Sequence, residues 1–146
     1  MEFGLDIAET ARLMRRDFDR RSSVLGVTRA QCRVLLSLSR RGGLRQVELA
    51  EILDVEPITL CRMIDRLEEA GLVERRRDEV DRRAWNIHLT DKAGPLIAGI
   101  YVLGDQCNSL ALTGISEADQ AFARDILARI RSNLTKSGAA AARKAS

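Results

Sequence analysis

Apolar residues recur at helical spacing from the first turns of the chain. Ile7, Ala11, Met14 and Phe18 alternate with Arg12, Arg15, Arg16 and Asp19, which predicts an amphipathic helix over about 5–22. Thr28 and Gln31 stand at the spacing of a capping box, so a second helix is predicted from Arg29. It carries Val34, Leu35 and Leu38 and stops at Gly42-Gly43. Gln46 to Leu53 reads as a short helix on Val47, Leu49, Ala50 and Leu53. After Asp54-Val55-Glu56, Pro57 opens the next helix, at a position that needs no amide donor. Leu60, Met63, Ile64 and Leu67 form its inner stripe, and about 100° per residue places Ile58, Thr59, Arg62 and Arg66 on the opposite side. Gly71 ends it. Two helices joined by so short a turn have the sequence form of a helix-turn-helix.

Beyond Gly71 the period changes to alternation, with Leu72-Val73-Glu74-Arg75 leading into Arg76 to Arg83, then Trp85, Ile87 and Leu89 between Asn86 and His88. This predicts a hairpin with a charged tip, the arrangement called a wing. Thr90 is expected to cap a long helix through Leu96, Ile97, Ile100, Leu103, Cys107 and Leu110, with Pro95 bending its first turns. Ser116 with Asp119 starts a last helix, from Glu117 to about Leu134, on Phe122, Ile126, Ile130 and Leu134. The fold class expected is mainly α: a winged helix-turn-helix with N- and C-terminal dimerisation helices. Its bounds are one domain over 1–135, a winged core over 28–90, dimerisation helices over 5–22 and 91–135, and a disordered, Ala-rich tail over 136–146.

Composition narrows the function classes. A chain of 146 residues with 45% hydrophobic and 31% charged positions suits one globular domain. Neither an apolar run of about 20 residues nor a basic-then-apolar leader is present, so the expectation is a cytoplasmic protein without membrane contact. Cys32, Cys61 and Cys107 are scattered and odd in number, which argues against a disulfide framework and clustered zinc ligands. No metal or cofactor is expected. An enzyme is disfavoured too, since the single histidine, His88, has no nucleophile nearby and no phosphate-binding glycine loop or carboxylate pair is evident.

The net charge of +3 does not name a partner, but 21 of the 24 basic residues are Arg, whose guanidinium forks onto phosphates and guanine edges. Thr59, Arg62 and Arg66 on one helix face suit a major groove, and Arg82 and Arg83 at the wing suit a narrow minor groove. Between Arg62 and Arg83, however, seven Arg meet seven Asp or Glu. DNA binding therefore requires Asp65, Glu68 and Glu69 to pair internally or face away, and Asp81 to orient a wing arginine.

The runs Gln46 to Leu53, Thr59-Leu60-Cys61-Arg62, Ile64-Asp65-Arg66-Leu67-Glu68, Gly71-Leu72-Val73, Asp81-Arg82-Arg83 and Leu89-Thr90 resemble the MarR family of bacterial regulators, nearest its SlyA-like branch. The resemblance spans roughly 27–98. It implies a homodimeric winged helix on a pseudo-palindromic operator, usually a repressor, with interlocking terminal helices. Carried over by position, Thr59 and Arg62 read bases, Arg82 enters the minor groove, and Asp81 with Arg83 shapes the wing. Family members tend to bind aromatic acids or phenolics in a cleft below the dimer helices, for which Phe18, Cys32 and Arg33 are the lining candidates here. Arg45 departs from the family by standing where Ser or Thr commonly caps the third helix, and Cys32 stands where an aromatic is frequent. Two alternatives remain open: a thiol switch at Cys61, beside the charge of Arg62, and a winged-helix module that binds protein without DNA.

Overall fold

The computed structural model describes residues 1–78, 80–81 and 83–144, with side chains as far as Thr135. The elements in order are α1 (Glu2–Ser22), a 3-10 turn (Ser23–Leu25), α2 (Arg29–Arg41), β1 (Leu44–Arg45), α3 (Gln46–Leu53), α4 (Pro57–Glu69), β2 (Val73–Arg77), β3 (Trp85–Leu89), α5 (Ala93–Ala111) and α6 (Glu117–Lys144). They fall into two compact units, Met1–Cys107 and Asn108–Ser146.

Local chemistry sets the helix ends in the first unit. At α2 the Gln31 amide donates to Thr28 Oγ1 (3.2 Å) and the Thr28 amide to Gln31 Oε1 (2.8 Å), so the predicted capping box is present. The helix stops where Gly42 takes φ +74, a conformation that costs glycine least. Arg45 has no acceptor to cap α3, and the cap is supplied from the other direction: Glu48 Oε2 accepts the Arg45 amide at 3.0 Å. Asp54, at φ 53, turns the chain between α3 and α4, and Pro57 begins α4 as expected.

One apolar cluster holds this unit together. Leu35 and Leu38 of α2, Leu49 of α3, Leu60, Ile64 and Leu67 of α4, Ile87 of β3 and Ile100 of α5 are all fully buried in it. The sheet is antiparallel in the order β1-β3-β2. β3 pairs β2 from Val73↔Leu89 to Arg77↔Trp85, and β1 adds Leu44↔Ile87 and Arg45↔Asn86. The sequence pattern did not predict β1, because two residues are too short to display a period.

Three further details differ from expectation. Thr90 does not cap α5; its hydroxyl donates to the Gly71 carbonyl at 2.6 Å, tying the end of β3 to the turn after α4, and α5 begins three residues later. Pro95 is then the third residue of α5, within the first turn, where a missing amide breaks no helical bond. α6, in the second unit, opens on Ser116, whose hydroxyl accepts the Asp119 amide at 3.2 Å as predicted. It runs on to Lys144 instead of ending near Leu134, in keeping with the high helix propensity of its Ala run.

Candidate nucleic-acid interface

The amphipathic pattern of α4 decides what it shows to solvent. With Leu60, Ile64 and Leu67 locked in the core, Ile58, Thr59, Arg62 and Arg66 all stand exposed. Ile58 is 63% exposed, so its side chain is free to meet an apolar group such as a thymine methyl.

Of the three carboxylates of α4, Asp65 and Glu68 are occupied, whereas Glu69 is exposed and forms no ion pair with another described residue. Arg75 of β2 donates to Asp65 at 2.6 Å and to Glu68 at 2.5 Å, and its backbone amide donates to the other Glu68 oxygen at 3.0 Å. Glu74 pairs with Arg76. Arg62, Arg66 and Arg83, by contrast, form no ion pair with another described residue. Arg75 and Arg76 are thus engaged with carboxylates, while Arg62, Arg66 and Arg83 stand as exposed cations and Glu69 and Asp81 as exposed carboxylates without an ion pair among the described residues.

The wing owes its shape to a residue the sequence reading missed. Asp78 Oδ1 accepts the amides of Val80 (2.9 Å) and Asp81 (2.8 Å), while Oδ2 accepts Asn86 Nδ2 (3.1 Å) and Arg45 Nε (3.3 Å). The two amides, then Asn86, then Arg45 hold its carboxyl well below the usual carboxylate range. Asp81 plays the smaller part, accepting the Arg83 amide at 3.0 Å in a local turn. That bond holds the Arg83 backbone and does not engage its guanidinium. Arg82 lies outside the described residues. Trp85 is exposed and stacks under the Arg77 guanidinium, 5.0 Å from ring centroid to carbon. The signal for Asp78 was available in part, since Asp two or three residues before an unpaired turn accepts backbone amides.

Phe18, Cys32 and Arg33 do come together. With Arg15, Arg29 and Leu36 they line an open groove of about 730 Å³ between α1 and α2. Arg33 donates to the Leu53 carbonyl at 3.0 Å and Arg29 to Asp19 at 2.8 Å, so both guanidiniums are held in place. Burial pushes the Cys32 thiol above its ordinary pKa. Cys61 is half-buried on α4, its sulfur 4.0 Å from both Arg75 Nη2 and Asp65 Oδ2. The cation that contacts its sulfur is Arg75, from across the α4–β2 contact, where the sequence had pointed to Arg62. Cys107 is buried and donates to the Met14 carbonyl at 3.6 Å. Among the described residues no cluster of three metal-ligating side chains occurs, and no helix is long and apolar enough to cross a membrane.

A helix-turn-helix whose second helix shows an arginine face, followed at once by a pinned two-stranded hairpin, defines the winged-helix class. The MarR family profile matches residues 27–85. The solved transcriptional regulator PA3341 is 44% identical, covering 92% of this chain and 98% of its own, with a TM-score of 0.83. A cysteine-to-serine mutant of MarR from E. coli, solved with operator DNA, is 26% identical, covering 89% of this chain and 94% of that one at a TM-score of 0.79. BpsR of Bordetella bronchiseptica, whose DNA binding is regulated by 6-hydroxynicotinic acid, shares the fold at 20% identity, 90% and 99% coverage and a TM-score of 0.78. The chain belongs to the MarR family of DNA-binding transcriptional regulators.

Proposed function

We propose that this regulator is a cytoplasmic homodimer that represses transcription by occupying a palindromic operator, and that a small aromatic or phenolic acid releases it. The observation that carries the reading is the exposed face of Ile58, Thr59, Arg62 and Arg66, set on a helix whose other side is fixed in the core. The E. coli relative in complex with operator DNA supports it. In this reading Arg62 forks onto a guanine, Thr59 and Ile58 meet phosphate or a thymine methyl, Arg66 and Arg83 hold the backbone, and Arg82 enters the minor groove.

Uncovered apolar side chains support the dimer. Phe3, Leu5, Ile7, Leu13 and Met14 are exposed on α1, and Phe122, Leu127 and Leu134 on α6, more apolar surface than a monomer ordinarily leaves in water. A two-fold axis then places two recognition helices in half-sites about 34 Å apart. The effector's place is the groove of Phe18, Cys32 and Arg33, where aromatic packing and fixed guanidiniums suit an aromatic carboxylate. Release needs only that the ligand favour the geometry that does not fit DNA by a few kcal/mol.

The test is footprinting on the DNA upstream of its own gene, with unrelated DNA as competitor and a salt series. A protected palindrome at nanomolar protein is expected, and Arg62→Ala should lose roughly 1–3 kcal/mol of discrimination at one base position in each half-site. Unchanged binding by Arg62→Ala would refute the assignment of that residue, and no binding at low salt would favour a protein partner for the wing.

A further inference from the structure

β2 presents three consecutive arginines, and they do different things. Arg76 pairs with its neighbour Glu74, and Arg77 stacks on Trp85. Arg75 instead turns its guanidinium onto α4. Its side chain is only 19% exposed, against 59% for Arg76. Asp65 and Glu68 are three residues apart and share one side of the helix, so a single planar fork reaches both, at 2.6 and 2.5 Å. The backbone amide of the same residue takes the remaining Glu68 oxygen at 3.0 Å. One residue thereby ties the middle of α4 to the first wing strand by three hydrogen bonds.

This contact bears on the sign of the surface that must approach DNA. The 13 residues of α4 contain two arginines, Arg62 and Arg66, against three carboxylates, Asp65, Glu68 and Glu69, so the helix alone is net negative. A negative helix is repelled by a polyanion. Arg75 supplies the missing cation in direct contact with two of the three carboxylates. Asp65 and Glu68 are themselves 51% and 40% exposed, and ion pairs to exposed carboxylates contribute little to folding, so global stability does not account for one side chain engaging both. We infer that Arg75 is a positioning residue for sequence reading: acting through Asp65 and Glu68, it fixes α4 against the wing and masks two carboxylates from the phosphates, without itself touching DNA. The inference rests on α4 being the helix that enters the groove.

The test is a double-mutant cycle read on the protected upstream fragment and on the same fragment with one base changed at the Arg62 position. Arg75→Ala should weaken binding tenfold or more and narrow the preference for the correct base. In an Asp65→Asn/Glu68→Gln background the same change should cost less than threefold, because its partners are gone. Arg75→Lys, which keeps the charge but loses the fork, should fall between. The slope of log affinity against log salt should stay that of the wild type. Equal costs in both backgrounds with a slope smaller by about two, one phosphate for each protomer, would make Arg75 a phosphate ligand and overturn the inference, as would wild-type binding by Arg75→Ala. A wild type that protects no upstream site fails earlier and distinguishably: it removes the operator reading and this inference with it. Asp65→Asn/Glu68→Gln, which lacks the clamp but keeps Arg75, separates loss of the contact from a failure of Arg75→Ala to fold.

Discussion

Replacing Gly43 by alanine tests how the wing is anchored. Gly43 precedes β1, and the register Leu44↔Ile87 sets it opposite His88 of β3. A Cβ at position 43 would lie 2.7 Å from His88 Nδ1 and 2.5 Å from Nε2, with Cε1 nearer still. Ordinary carbon contacts begin near 3.5 Å, so the ring or the strand must retreat by roughly 1 Å. Overpacking of this kind costs about 1–3 kcal/mol, and the half-buried ring, which can rotate aside, places the expected value in the lower half. At about 2–4 °C per kcal/mol for a chain of this size, melting should fall by roughly 2–8 °C at fixed protein concentration. The strain falls on the element that carries Arg45 to Asp78, so operator affinity should also drop several-fold. Thermal denaturation of Gly43→Ala, His88→Ala and the double variant decides it. With the ring removed, alanine at 43 should cost nearly nothing. A Gly43→Ala penalty as large in the His88→Ala background as in the wild type would refute the steric argument.

Thr90→Val keeps the shape but loses the 2.6 Å bond to the Gly71 carbonyl, and should destabilise by about 1–2 kcal/mol in urea denaturation while leaving the operator sequence preference intact. Asp78 gives a pH signature. Its folded pKa lies below the ordinary 3.8, so between the two values the unfolded chain binds a proton that the folded chain refuses, and stability falls as pH falls. The contribution is complete above about pH 4 and is lost below it. Asp78→Asn should therefore flatten the acid limb of the stability profile, measured by denaturation at stepped pH, and should weaken operator binding at neutral pH through a misshapen wing.

Most of the fold was legible because its ends are written in chemistry that acts locally: the Thr28–Gln31 box, Gly42, Pro57, Gly71 and Ser116 all stop or start elements as read. The unread parts are those decided across the chain. β1 exists because β3 lies beside it, and Thr90 serves a carbonyl 19 residues away. The Asp78 carboxylate reaches Arg45, 33 positions away, as well as the amides of its own turn. At the candidate site, periodicity alone set out the exposed face of α4. The partner of Asp65 and Glu68 was not legible, since strand alternation sets Arg76 apart but leaves Arg75 and Arg77 on one face, and only the packing of β2 on α4 picks the first.

That sorting of charge leads to a quantitative expectation for salt. Counterion release scales with the phosphates neutralised, at about −0.9 in log–log slope for each. If every arginine between Arg62 and Arg83 acted on the backbone, seven per protomer would give a dimer a slope near −13. Arg75 and Arg76 are already paired with carboxylates and Arg77 stacks on Trp85, so these three should contribute little. Of the four that remain in each protomer, Arg66 and Arg83 hold the backbone while Arg62 and Arg82 enter grooves, so the slope should lie between about −4, with the two backbone contacts alone, and about −7, with all four counted. Titration of the operator fragment from about 50 to 200 mM salt spans the range in which such slopes are read. A slope beyond about −10 would mean that the internal pairs open on DNA, and would remove the reason for treating paired and unpaired arginines as different.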